Sequence, residues 1–131
     1  MTARVPEPEL DRILITGLRV FAHHGVFAHE RRDGQPFIID AEVWLDARAA
    51  SASDDVTDTV HYGELMQALR DAAAAEPVNL IETLAERLAS VCLESPAAAA
   101  ARITVHKPDA PVPLDFADVA VSVLRHREGA R

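Results

Sequence analysis

Lys107 is the only lysine in a chain whose other twelve basic residues, of thirteen, are all arginine. Arginine stays charged at any accessible pH, whereas a partly buried lysine can give up its proton and act as a general acid or base. It stands in Thr104-Val105-His106-Lys107-Pro108, at the end of a strand pattern, where a solvated charge is the plainer alternative. Tyr62, the only tyrosine, lies in Asp58-Thr59-Val60-His61-Tyr62 and could protonate a developing carbanion, or simply pack its ring and leave the hydroxyl wet. Glu82 follows Asn79 by three residues. That spacing reads either as a capping box or as a carboxylate beside free helix-terminal amides, suited to an amidine-like edge such as that of a pterin or guanine. Positions 85 and 86 are Ala85 and Glu86, so no cation one helical turn on would neutralise it. Glu30, in the stretch His24-Gly25-Val26-Phe27-Ala28-His29-Glu30, is either a loop carboxylate in water or a group that orients substrate hydroxyls.

The histidines and the cysteine narrow the chemistry. His23 and His24 are neighbours on a strand and point to opposite faces, so one ion could not easily take both, and no metal site is expected. Cys92, the single cysteine, lies in an apolar helical pattern and reads as a small buried hydrophobe. A formal charge of -8 without any lysine or arginine block argues against nucleic acid as a partner. No apolar run is long enough for a signal peptide or membrane span, so the expected compartment is the cytoplasm.

The elements that must position these groups follow from periodicity. Ile13 to Ala22 reads as a first strand, with Leu14, Leu18, Val20 and Ala22 alternating and Ile13, Ile15 and Phe21 between them. Phe37 to Asp46 alternates cleanly, with Phe37, Ile39, Ala41, Val43 and Leu45 on one face. Asp40, Glu42 and Asp46 lie on the other. The Asp33-Gly34 pair marks a turn between them, and residues 47–61 read as a long polar connection. Leu65, Met66, Leu69, Ala72 and Ala73 predict a helix ending before Pro77. Leu80, Leu84, Leu88 and Val91 predict another from Asn79 to near Pro96. Ile103 with Val105, and Val119, Val121 and Val123, give two closing strands. The expectation is an α+β domain over residues 11–127, between loose tails at 1–10 and 128–131. It has a four-stranded antiparallel sheet with two helices, inserted between strands two and three, on one face. The other face carries Ile38 and Trp44 among carboxylates, which suits a subunit interface or a water-filled lumen.

Together these stretches resemble the dihydroneopterin aldolase family from about Ile13 to Arg125. The carriers are His24-Gly25 with Glu30, the Asp58 to Tyr62 run, Asn79-Leu80-Ile81-Glu82, and Lys107-Pro108 followed by Pro111 and Pro113. The resemblance implies the tunnelling fold, in which sheets join into tetrameric rings stacked as an octamer, and an active site between adjacent subunits. It further implies that Glu82 and the Ile81 backbone hold the pterin edge, that Val60 and His61 line the ring pocket, and that Glu30 meets the substrate's side chain. Lys107 is then the proton shuttle, and Tyr62, from the neighbouring subunit, the proton donor. The implied reaction is retro-aldol cleavage of 7,8-dihydroneopterin, a step of folate biosynthesis, with C2' epimerisation as a side activity. It requires no metal or other cofactor because the substrate's own N5=C6 bond accepts the electrons.

Rival readings stay open at this level. An epimerase acting on dihydroneopterin triphosphate would use Arg31 and Arg32 for phosphates. A zinc-dependent pterin synthase on the same fold would need better histidine spacing. A non-catalytic pterin- or purine-binding ring would need Glu82 but neither Lys107 nor Tyr62.

Overall fold

In the computed structural model, which describes residues 10–128, four strands and four helices follow one another. Strand β1 (Asp11–Ala22) leads to a short helix α1 (Ala28–Asp33) and strand β2 (Gln35–Leu45). Helix α2 (Arg48–Ser53), a 3-10 turn (Val56–Asp58) and the two longer helices α3 (Tyr62–Ala73) and α4 (Ile81–Cys92) precede β3 (Ala100–His106) and β4 (Ala120–His126). All neighbouring strands are antiparallel, in the order β1-β2-β3-β4, so β1 and β4 are the two edges. Of the expected tails, all but Leu10 and Glu128 lie outside the described residues.

Strand β2 buries Phe37, Ile39, Ala41, Val43 and Leu45 as its alternation demands. It begins two residues earlier than its apolar run, which brings Gln35 onto that same inward face. Strand β1 departs from simple alternation. Its pairing slips between Ile15 and Leu18, so the core face is Ile13 and Ile15 before the slip, then Leu18, Val20 and Ala22 after it. Leu14 and Phe21 therefore face solvent. This bulge needs Gly17, whose φ of 76° disfavours any side chain, and its amide donates to Asp40 Oδ1 at 2.7 Å.

Helix α3 starts where His61 Nδ1 accepts the Glu64 amide at 3.2 Å, and it buries Leu65, Leu69 and Ala73 along one stripe. Helix α4 starts at Ile81 with Leu80 as its cap residue, two residues later than the spacing predicts. It buries Leu84, Ala85, Leu88, Ala89 and Cys92, the alanines letting it lie close against its neighbours, while Leu80 itself is exposed. Burial pushes the Cys92 thiol up to about 12, leaving it an inert core group. The connection at 47–61, read from sequence as irregular, contains α2 and the 3-10 turn.

The opposite sheet face is mixed, with Leu14, Phe21 and Leu124 exposed and Ile38 and Trp44 partly exposed among charged side chains. Glu42 bridges Arg12 at 2.8 Å and Arg102 at 3.3 Å, the Arg12 guanidinium lies 5.9 Å above the Trp44 ring, and His106 joins Asp40 and Asp118 at 2.7 and 2.6 Å. Half-exposed pairs like these contribute little stability each, so the helix-covered face supplies most of the apolar driving force.

Candidate functional site

The site begins with a carboxylate turned inward. After β1 the chain bends through Gly25, and α1 opens at Phe27, whose amide donates to Glu30 Oε1 at 3.2 Å. Glu30 is thereby folded back under its own loop and is only 3% exposed. Gly25 is obligatory beneath it. A Cβ at position 25 would stand 2.3 Å from Glu30 Oε1, and the backbone φ there is +151°. The other carboxylate oxygen receives Lys107 Nζ at 2.7 Å and Gln35 Nε2 at 2.9 Å. Burial by itself raises the Glu30 pKa, but the hydrogen bonds from Lys107, Gln35 and Phe27 outweigh it and hold the group below the usual glutamate value. Glu30 is thus a carboxylate at neutral pH, ion-paired with Lys107. Gln35 Oε1 is buried without a partner among the described residues, next to this pair, and is free to accept from a bound hydroxyl.

The second part is the N-terminus of α4. His24 Nε2 lies 2.6 Å from the Ala73 carbonyl and its Nδ1 lies 3.0 Å from the Val78 amide. Gly25 N donates to Val78 O at 2.9 Å. Arg31 donates to Gly25 O at 2.9 Å and to the Asn79 side-chain oxygen. These bonds tie residues 73–79 to the Glu30 loop, which brings Ile81 and Glu82 to the same end of the molecule as Glu30 and Lys107. The capping-box reading of Asn79 and Glu82 is overturned, because Asn79 is engaged by Arg31 and Leu80 caps the helix without a side-chain bond. The Glu82 carboxylate is exposed, has no hydrogen-bond or ion-pair partner among the described residues, and sits in the first turn of α4 beside amides without helical partners.

Tyr62 lies elsewhere. It opens α3, whereas Ala73, the contact of His24, closes it, and twelve helical residues separate the two ends by ~16 Å. Tyr62, 61% exposed, lines a groove of about 390 Å3 along the β1 edge with Ile13, Leu14, Ile15, Thr16 and Met66. His61 beside it is exposed and caps α3, and the Val60 side chain is committed to the core. Within one chain, then, Glu30, Lys107, Ile81 and Glu82 share one end, while His61 and Tyr62 face outward at an edge.

Two residues at the site escaped the sequence reading. Gln35 had a usable signal, since it shares the parity of Phe37 and Ile39 and so is a polar residue on an apolar face. His24 entered only as part of the His24-Gly25 stretch, and its role lacked a signal because its buried partners are backbone groups some fifty positions away. The other proximal histidine, His23, lies 3.0 Å from the Arg31 carbonyl through Nδ1, so the two rings engage separate partners. Arg32 is held by Asp33 at 2.8 and 3.0 Å.

Comparison with known proteins extends this geometry. Residues 13–124 match the family described as Dihydroneopterin aldolase. A dihydroneopterin aldolase of Streptomyces coelicolor is 48% identical over 118 residues, covering 90% of this chain and 99% of that protein. One from Bacillus subtilis is 35% identical over 119 residues, covering 90% and 99%. The structure of E. coli dihydroneopterin aldolase in complex with neopterin superposes with a TM-score of 0.80 at 30% identity, covering 88% of this chain and 98% of that one.

Proposed function

The chain belongs to the dihydroneopterin aldolase family, and from that premise we propose that its Lys107–Glu30 pair performs the family's cleavage reaction on 7,8-dihydroneopterin. The observation that carries this reading is the pair at 2.7 Å, Glu30 buried and Lys107 partly buried, with a carboxylate, Glu82, unpaired among the described residues, displayed at the helix terminus tied to α1 by Arg31. Glu82 and the Ile81 backbone take the amino group and ring nitrogen of the pterin as two parallel hydrogen bonds. Glu30 and Gln35 Oε1 meet the side-chain hydroxyls. Lys107 shuttles the C2' hydroxyl proton away, directly or through water. The C1'–C2' bond then breaks, glycolaldehyde leaves, and the electrons enter the substrate's N5=C6 bond. Because that bond is the electron sink, the reaction has no need of a metal or a Schiff base. Proton return to C1' gives 6-hydroxymethyl-7,8-dihydropterin. Each positioned acid or base contributes ~10²- to 10⁴-fold.

Tyr62 is the proposed donor of that last proton, supplied by an adjacent copy, since its own chain holds it ~16 Å from the His24 end of α3. The two open edges of the sheet support a closed ring, and a ring accounts for the mixed uncovered face as a lumen wall. His61 and Val60, the latter through its backbone, travel with Tyr62 into the neighbour's pocket. Four copies to a ring and two stacked rings are the assembly we propose. Among the described residues no helix is long and apolar enough to cross a membrane, and we place the enzyme in the cytoplasm.

In the triphosphate reading, phosphates would have to compete with the protein partners that Arg31 and Arg32 already hold. Incubating purified protein with 7,8-dihydroneopterin and resolving the products by chromatography tests the proposal. Glycolaldehyde with 6-hydroxymethyl-7,8-dihydropterin is expected. A C2' epimer alone would replace cleavage with epimerisation, and binding without turnover would make the protein a passive ring.

A further inference from the structure

Of the polar side chains that the mechanism leaves unused, His24 is the most deeply buried, at 1% exposure. Its two ring nitrogens face groups of opposite kind. The Ala73 carbonyl, 2.6 Å from Nε2, can only accept, and the Val78 amide, 3.0 Å from Nδ1, can only donate. The ring must therefore carry its proton on Nε2 and keep Nδ1 bare, a single neutral tautomer. These two bonds span the connection between α3 and α4, from the last residue of one helix to three positions before the other. The adjoining Gly25 amide bonds the Val78 carbonyl, and Gly25 lies in contact with the Glu30 carboxylate. His24 is thus one of the direct links, with Gly25 and Arg31, between the segment leading to Glu82 and the turn and helix α1 that carry Glu30.

We infer that His24 is a positioning residue, which sets the pterin-holding terminus of α4 relative to the Lys107–Glu30 pair through its acceptor bond from the Val78 amide. This rests on the function proposed above and adds a residue that never touches the substrate. Burial keeps the ring neutral, and the charged neighbours act in the same direction: Arg87 from α4, Arg31 from α1, and His23 beside it. Arg87 also grips the connection from below, donating to the Ala72 and Glu76 carbonyls at 3.0 Å each.

Two substitutions separate the two bonds. His24→Gln keeps a donor where Nε2 stood and loses the acceptor, whereas His24→Asn keeps an acceptor where Nδ1 stood and loses the donor. The readouts are the neopterin dissociation constant, the KM and kcat for 7,8-dihydroneopterin, and the melting temperature. The glutamine variant is expected to weaken neopterin binding and raise KM about tenfold, from leaving a buried donor unpaired, with kcat within about threefold. The asparagine variant is expected to melt lower than wild type while binding within about threefold of it. If binding follows melting temperature in both variants, His24 is merely structural and the inference is overturned. Should the asparagine variant fail to fold, the glutamine variant decides alone: neopterin binding weakened about tenfold with kcat within about threefold supports the inference, and binding within about threefold of wild type overturns it. Wild-type protein that binds no neopterin at all would instead sink the proposed function.

Discussion

Gly25→Ala should disable the enzyme from a position that carries no side chain. The added Cβ would lie 2.3 Å from both Cδ and Oε1 of Glu30 and 2.6 Å from Oε2. Ordinary contact between such atoms is about 3.5 Å, so the carboxylate must retreat by about 1 Å. Glu30 cannot retreat freely, because Phe27, Gln35 and Lys107 hold it at 3.2, 2.9 and 2.7 Å. Overpacking of this kind costs ~1–3 kcal/mol, and an L side chain at φ +151° adds ~1–3 kcal/mol of backbone strain. A catalytic group misplaced by about 1 Å loses on the order of 10²-fold in rate. Glycolaldehyde release, followed by a coupled aldehyde reduction, should therefore fall ~100-fold, with a clear loss of melting temperature. Shortening the carboxylate in the same protein, as Gly25→Ala with Glu30→Asp, relieves the clash, so the double variant should be more stable than the two single effects add up to. A Gly25→Ala protein with wild-type melting and kcat within about threefold would refute the packing argument.

Mixing inactive Tyr62→Phe and Lys107→Ala proteins under conditions of proven subunit exchange should restore part of the activity. No recovery would dismiss a site shared between copies. His106, held by Asp118 and Asp40, has its pKa raised above 6.5. Its contribution to stability is therefore complete below pH 6.5 and lost as pH rises through the folded-state value, a decline that His106→Asn should flatten in melting curves taken across that range. Glu30 acts in the opposite window. Its depressed pKa gives stability present above 4.5 and lost as pH falls through the folded-state value, and acid melts of Glu30→Gln should lack that loss. Leu88→Ala, in the fully buried stripe of α4, should cost ~2–5 kcal/mol in denaturant unfolding without changing the neopterin dissociation constant in the surviving native protein.

The fold was legible wherever one face of an element is buried and the other is not. Strand β2 and the stripes of α3 and α4 came through for that reason, and with them the order of sheet and helices. The bulge at Gly17 was illegible because an apolar residue stands on both sides of the slip, Leu14 outward and Leu18 inward, so alternation alone could not locate it. The start of α4 was misplaced because Asn79 looks like a cap in sequence, while its actual partner, Arg31, comes from helix α1. Lys107 and Glu30 could each be singled out by residue type, but their pairing at 2.7 Å depends on β2 and β3 being neighbours. Long-range contacts to backbone, such as those of His24, leave no mark in a single sequence.

Replacing Lys107 with alanine and measuring glycolaldehyde release beside neopterin affinity tests most directly whether the amine held by Glu30 moves the proton. Release should fall ~10²- to 10⁴-fold while affinity stays within about threefold, since in the proposed mechanism Glu82 and Ile81 still hold the ring. Undiminished release by folded Lys107→Ala protein would contradict the mechanism outright.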